Sequence, residues 1–111
     1  VEIELKALEI TQMRVVAAQA TRDPSQPDPA SSILKIKGTE LQQATTELLL
    51  ELAGPNALPA RRDGLARNDL DSLFAWADAA MPTYLNHRKV SIYGGSNEIQ
   101  HNVIAKAVLG L

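Results

Sequence analysis

The stretch Ser91-Ile92-Tyr93-Gly94-Gly95-Ser96-Asn97-Glu98-Ile99-Gln100 sets two glycines between two segments of helical character. Glycine adopts φ > 0 without a Cβ penalty and lets a backbone approach another group closely. A helix restarting at Ser96 or Asn97 presents unpaired N–H groups and the positive end of its dipole. Such an end suits a phosphate, a pyrophosphate or a polarised carbonyl. A tight turn between two helices is the plainer use of the same residues. The segment ahead of the glycines reads as helix rather than strand, so the dinucleotide logic of a βα turn does not apply. The stretch therefore decides for an all-α chain.

Outward from this turn, helices account for the rest. The last helix is predicted from Asn97 to about Leu109, with Ile99, Val103, Ile104, Ala107 and Val108 on one face, and Asn97 and Gln100 have the spacing of a capping box. Upstream, Pro82 to Ser91 reads as a short helix and Leu70 to Ala80 as another, with Met81-Pro82 as the break between them. Leu73, Phe74 and Trp76 supply most of the aromatic bulk. Residues 54 to 69, rich in Gly, Pro, Asn and Asp, read as a long loop with a small basic spot at Arg61 and Arg62. A long helix is predicted from about Pro29 to Ala53. Asp28-Pro29 reads as an N-cap followed by proline at the first helical position, and Gly54-Pro55 as the stop. Its seam of Leu34, Gly38, Leu41, Thr45, Leu48 and Leu52 alternates spacings of four and three, as in a bundle contact. Gly38 in mid-helix, unfavourable by roughly 1 kcal/mol relative to Ala, points to close approach of a neighbouring backbone. Thr21 to Pro29 is a proline-rich connector. Residues 1 to about 21 form the first predicted helix. It carries two stripes, Ile3, Ala7, Ile10, Met13 and Ala17 on one and Val1, Leu5, Leu8, Val15 and Val16 on the other. Two stripes fit either a central helix of a monomeric bundle or a bundle helix that also meets another domain or subunit.

Composition narrows the function. The 111 residues hold one domain at most, 45% of them apolar and only 4% aromatic, an aliphatic composition suited to helix packing. The net charge of −2 argues against a nucleic-acid binder. With no cysteine, disulfides, zinc ribbons and thiol nucleophiles are excluded. No apolar run reaches membrane-span length. His87 and His101 stand far apart, no cluster has metal-ligand spacing, and no Ser/His/Asp set has a local signature. The chain opens within a helix and without methionine, which reads as a piece of a longer protein. The residues by themselves stop at an all-α bundle with one helix-terminus anion site.

Two segments carry more. Ser91 through Ala105 resembles the closing motif of the acyl-CoA dehydrogenase family, a Tyr-Glu-Gly-Thr or Tyr-Gly-Gly-Ser type turn followed by a polar residue and Ile-Gln. Ala30-Ser31-Ser32-Ile33-Leu34-Lys35-Ile36-Lys37, leading to Leu50-Glu51-Leu52-Ala53-Gly54-Pro55, resembles the family helix that ends in a Gln-Ile-Leu-Gly-Gly-like loop. Order and spacing match across nearly the whole chain. The resemblance implies that residues 1–111 are the C-terminal domain of an FAD-dependent acyl-CoA dehydrogenase, the remnant of an up-down four-helix bundle lacking its first helix and inactive alone. It implies a homo- or hetero-oligomer, dimer or tetramer, sharing FAD across subunits, an acyl-CoA substrate and an electron-transfer flavoprotein as acceptor, with no metal, nucleic-acid or membrane partner. The compartment implied is cytoplasmic in a bacterium, mitochondrial or peroxisomal in a eukaryote.

By the same resemblance, Glu51, Leu52, Ala53, Gly54 and Pro55 touch the ADP half of a neighbour's FAD. Ser96, Asn97 and Glu98 contact FAD, and Tyr93 and Gly94 face the substrate. The Gly94 N–H is one of two donors to the thioester carbonyl in the manner of an oxyanion hole. The chemistry implied is α,β-dehydrogenation, with a carboxylate removing the α-proton while the β-hydride passes to the flavin. Four departures stand out, one of them Pro55 in place of a glycine. Gly94 occupies the position of the usual glutamate base, so no catalytic residue is expected in this chain. Glu51 stands where glutamine is usual, and would repel a pyrophosphate. His101 replaces the common arginine. A non-catalytic dehydrogenase-like partner subunit and an unrelated helical interaction module remain as alternatives.

Overall fold

The computed structural model describes residues 1–21, 23, 28–58 and 76–111. The basic spot at Arg61 and Arg62, the loop beyond Leu58, and Leu73 and Phe74 with most of the predicted helix from Leu70 lie outside these residues. Among the described residues every regular element is helical: α1 (Glu2–Gln19), α2 (Pro29–Ala53), α3 (Ala80–His87) and α4 (Asn97–Ile104), with 3₁₀ turns at Gly54–Ala57 and Arg88–Ser91 and a wider π turn at Ala105–Leu109. The chain is all-α. It divides into two compact units, one made of residues 1–42 and 89–111, the other of residues 43–88.

The ends of α2 follow from its punctuation. The Asp28 carboxylate accepts the Ala30 N–H at 3.0 Å, and Pro29 opens the helix where a missing N–H leaves no acceptor unsatisfied. At the other end Gly54 takes φ 49°, the left-handed conformation that stops a helix.

In the first unit, α1 turns Leu8, Thr11 and Val15 inward, with Val15 buried. The stripe of Ile3, Ile10 and Met13 is exposed, as are Leu5 and Val16 from the second stripe. Ser32 and Ile36 of α2 are buried. A Cβ added at Gly38 would have a single neighbour within 4 Å, the Leu8 Cδ2 at 3.9 Å, which is ordinary contact. The close backbone approach expected at Gly38 is therefore not what the glycine serves. In α4 no residue is buried; Val103 and Ile104 are half-covered, while Ile99, Ala107 and Val108 are exposed. The α-helical pitch also ends at Ile104 and widens through the π turn, closing at Gly110 with φ 70° and an N–H to the Lys106 carbonyl at 3.2 Å.

The second unit has a core of small side chains. Ala53, Ala57, Ala77 and Ala80 are 4% exposed or less, and Leu49, Leu50 and Met81 pack against them. The predicted seam fails in this half of α2. Thr45, Leu48 and Leu52 face outward, and Thr46 and Ala53 are the buried positions. Periodicity identifies residues that share a face; it does not say which face finds a neighbour. A second correction concerns Pro82. It lies in the first turn of α3, which begins at Ala80, and residues 76–79 lead into that helix as a 3₁₀ turn. First-turn N–H groups have no intrahelical acceptor, so proline is accommodated there and does not break the helix. Arg88 ties the end of α3 to α2. Its Nη2 donates to the Gln43 carbonyl at 3.1 Å and to the Thr46 hydroxyl at 3.3 Å, and its guanidinium lies 4.2 Å from the Tyr84 ring centroid. Gln43 returns the bond, its Nε2 donating to the His87 and Arg88 carbonyls.

Candidate functional site

The residues singled out from the sequence fall into two sets, one in each unit. The turn from Ser91 to Asn97 belongs to the first. Ile92 N–H donates to the Lys89 carbonyl at 2.9 Å, which closes the preceding 3₁₀ turn. Tyr93, Gly94 and Gly95 are exposed, and the two glycines take φ 70° and 87°. Among the described residues, no atom beyond its chain neighbours lies within 4 Å of a Cβ placed on Gly94, and the residue is exposed. At Gly95 the same Cβ would meet the Gln100 amide nitrogen at 2.6 Å. That side chain folds back over the turn, donating to the Gly94 carbonyl at 3.4 Å. Among the described residues, the N–H groups of Tyr93, Gly94 and Gly95 have no acceptor.

Beyond the glycines, the helix cap sits one residue earlier than the sequence spacing indicated. Ser96 is the N-cap (φ −61°, ψ 158°), its hydroxyl oxygen accepting the Ile99 N–H at 3.4 Å. The capping box read at Asn97 and Gln100 does not form, because Asn97 is the first helical residue and Gln100 reaches back to Gly94. The Glu98 carboxyl accepts from its own backbone N–H and from the Ser96 hydroxyl, and these bonds hold it below the usual carboxylate range. The N-terminus of α4 is thus satisfied from within by a serine and an anionic glutamate. This alters the anion-site expectation, since Glu98 occupies donors that a phosphate would need.

Asn97 turns away from solvent into a hydrogen-bond chain with α2. Its Oδ1 accepts from the Lys35 ammonium at 2.8 Å, and its Nδ2 donates to the Thr39 hydroxyl at 3.3 Å. Thr39 donates in turn to the Ile36 carbonyl at 2.8 Å, so donors and acceptors alternate without conflict. Lys35 also donates to the Ser91 carbonyl at 3.2 Å. Sequence reasoning passed over Lys35 and Thr39. The available signal was a cation and a hydroxyl at Lys35 and Thr39, one helical turn apart and flanking the apolar Ile36, where polar side chains need partners. His101 is the other neighbour, its Nδ1 2.7 Å from the Asn97 carbonyl. A carbonyl only accepts, so that nitrogen carries the proton.

The second set, Glu51 to Pro55, ends α2. Glu51, Leu52 and Pro55 are exposed, with Leu52 at 71%, while Ala53 is 1% exposed and committed to the alanine core. Among the described residues, Gly54 has nothing within 4 Å of its Cβ position. A helix C-terminus presents carbonyls and the negative end of the dipole, and Glu51 adds to that sign. This end favours hydroxyl or amino donors over a pyrophosphate.

Among the described residues no group of His, Asp or Glu could hold a metal ion, and no helix is long and apolar enough to cross a membrane. A family model described as acyl-CoA dehydrogenase, C-terminal domain, matches residues 1–109. Neither a curated protein nor a solved structure matches the chain.

Proposed function

We propose, because this chain belongs to the acyl-CoA dehydrogenase family as its C-terminal domain, that the turn from Tyr93 to Glu98 forms the wall on which flavin and thioester meet. The observation that carries this reading is the Gly94 backbone: exposed, at φ 70°, with open space on its Cβ side. An N–H so placed can donate to a thioester carbonyl and lower the pKa of the adjacent α-proton, as an oxyanion hole does. The β-hydride is taken up by FAD when that cofactor is bound.

The residues fit FAD at its hydroxyl-bearing parts better than at its pyrophosphate. The Ser96 hydroxyl and the Glu98 carboxylate accept from hydroxyl donors such as those of the ribityl chain, whereas a second anion beside Glu98 is repelled. Tyr93 and the Tyr93–Gly95 N–H groups are available to substrate. Asn97, engaged by Lys35 and Thr39, supports the turn rather than touching ligand. At the end of α2, Glu51 and Leu52 offer side chains to a neighbour's FAD, and Gly54 and Pro55 offer backbone. The exposed apolar stripes, Ile3, Ile10 and Met13 on α1 and Leu48 and Leu52 on α2, are read as surfaces that meet other subunits.

Gly94 removes no proton. In this reading the α-proton leaves to a carboxylate elsewhere in the enzyme, and an electron-transfer flavoprotein would serve as the electron acceptor. A second reading, a subunit that shares FAD without catalysing, is favoured by that same missing side chain. Flavin absorbance of the purified full-length protein tests the first step, and anaerobic bleaching on addition of an acyl-CoA tests the second. Bound flavin that bleaches supports the enzyme. Bound flavin that stays oxidised with every chain length supports the partner subunit, and absence of flavin uptake overturns both.

A further inference from the structure

We infer that Lys35 is a positioning residue of the Ser91–Asn97 turn, its single ammonium fixing both ends of the segment that carries the Gly94 N–H. This rests on the function proposed above and assigns to α2 a role in it.

A turn with two successive positive-φ glycines has little shape of its own, because glycine enters many backbone states at equal cost. Among the described residues, the only side chain bonded to residues 93–95 is Gln100, through one long contact of 3.4 Å to the Gly94 carbonyl. The flanks are different. Lys35 Nζ donates to the Ser91 carbonyl at 3.2 Å before the glycines and to Asn97 Oδ1 at 2.8 Å after them. Thr39 locks the Asn97 amide so that its oxygen faces the ammonium. Lys35 and Thr39 are one turn apart on a helix whose neighbouring residues Ser32 and Ile36 are buried, so the clamp is mounted on a packed element. Fixing both ends by charge-assisted bonds narrows the orientations open to the Gly94 N–H, and a donor prepaid in this way is worth more to a bound carbonyl than a wandering one.

The test uses the full-length protein as Lys35→Met, which keeps the stem and removes the donor, as Lys35→Arg, and as Asn97→Ala, which removes one acceptor and leaves the cation. Backbone NMR order parameters at residues 93–96 are measured without cofactor, and FAD affinity is measured by titration. Lys35→Met is expected to lower the order parameters from about 0.85 to below about 0.6 and to raise the Kd for FAD by about tenfold, the loss of hydrogen bonds to a charged group. Asn97→Ala is expected to do both to a smaller degree, and Lys35→Arg to restore most of the affinity. Unchanged order parameters in Lys35→Met overturn the inference, because the turn then holds itself. Loosened order with unchanged FAD affinity also overturns it. Wild-type protein that takes up no flavin overturns the functional reading, and loosened order in cofactor-free Lys35→Met then still shows the clamp, so the two failures are told apart. A fold defect is recognised by melting and circular dichroism, and Asn97→Ala then decides.

Discussion

The two segments proposed to meet flavin are held in opposite ways. The Ser91–Asn97 turn is fastened by polar groups, the Lys35 ammonium, the Asn97 amide and the Thr39 hydroxyl. The Glu51–Pro55 end is fastened by volume, through Ala53 pressed into Ala57, Ala77 and Ala80. Both pass through left-handed glycine, so backbone conformation does not distinguish them. Polar fastening tolerates added bulk and fails when a donor is lost. Steric fastening ignores charge and fails when a methylene is added.

The contrast breaks most visibly at Ala53 and Ala80. Ala53→Leu or Ala80→Leu adds three carbons where 1% or less of the residue is exposed, and overpacking of this kind destabilises by typically 1–3 kcal/mol, roughly. Thermal melting should fall by several degrees for either variant. A melt unchanged by Ala80→Leu would mean the alanine core is not tightly packed. Next in size is Gly95→Ala, where φ 87° imposes about 1–2 kcal/mol on any L-residue and the new methyl meets the Gln100 amide nitrogen at 2.6 Å. Gln100→Ala in the same chain should recover the steric part alone, and full recovery would show that the backbone is not strained. Gly94→Ala, with no contact to relieve, should show the conformational loss without any rescue by Gln100→Ala.

Gly38 reverses the sign. With Leu8 Cδ2 at 3.9 Å there is room for a methyl, and Gly38→Ala should stabilise by about 0.5–1 kcal/mol through helix propensity. A destabilised Gly38→Ala, read by denaturant midpoint, would show that α1 and α2 are packed as closely as the alanines are. The smallest effect belongs to Glu98. Its folded carboxyl lies below the ordinary value of 4.5, so it binds fewer protons folded than unfolded in that range. The stability it confers is present above the unfolded pKa and is lost as pH falls through the folded one. The melting difference between wild type and Glu98→Gln should therefore shrink as pH drops below about 4. A difference independent of pH would mean the carboxylate is bonded neither to its own backbone N–H nor to the Ser96 hydroxyl.

Much of this was legible from residues alone, and the failures have physical causes. The bounds of α2 were readable because Asp28-Pro29 and Gly54-Pro55 act locally, through a carboxylate and a missing N–H. The α4 cap came out one residue late because Ser96 and Asn97 are both good caps, and only the demand of Lys35 for an acceptor draws Asn97 inward. The turn at Gly94-Gly95 was identifiable by composition, but its clamp was not. Lys35 lies 56 residues from the carbonyl it binds, and nothing in a local window records that distance. The seam through Leu48 and Leu52 was periodic and still faces outward, because periodicity carries no information about what covers a face.

The alanine core has a thermodynamic consequence of its own. Alanine freezes no side-chain rotamer on burial, so Ala53, Ala57, Ala77 and Ala80 give up backbone freedom only. They also hide little apolar area each, and the heat-capacity change of unfolding scales with apolar area exposed. The core of Ala53, Ala57, Ala77 and Ala80 should accordingly add little to the curvature of stability with temperature. The Glu51–Pro55 end, seated on that core, is held by contacts whose strength changes little on cooling.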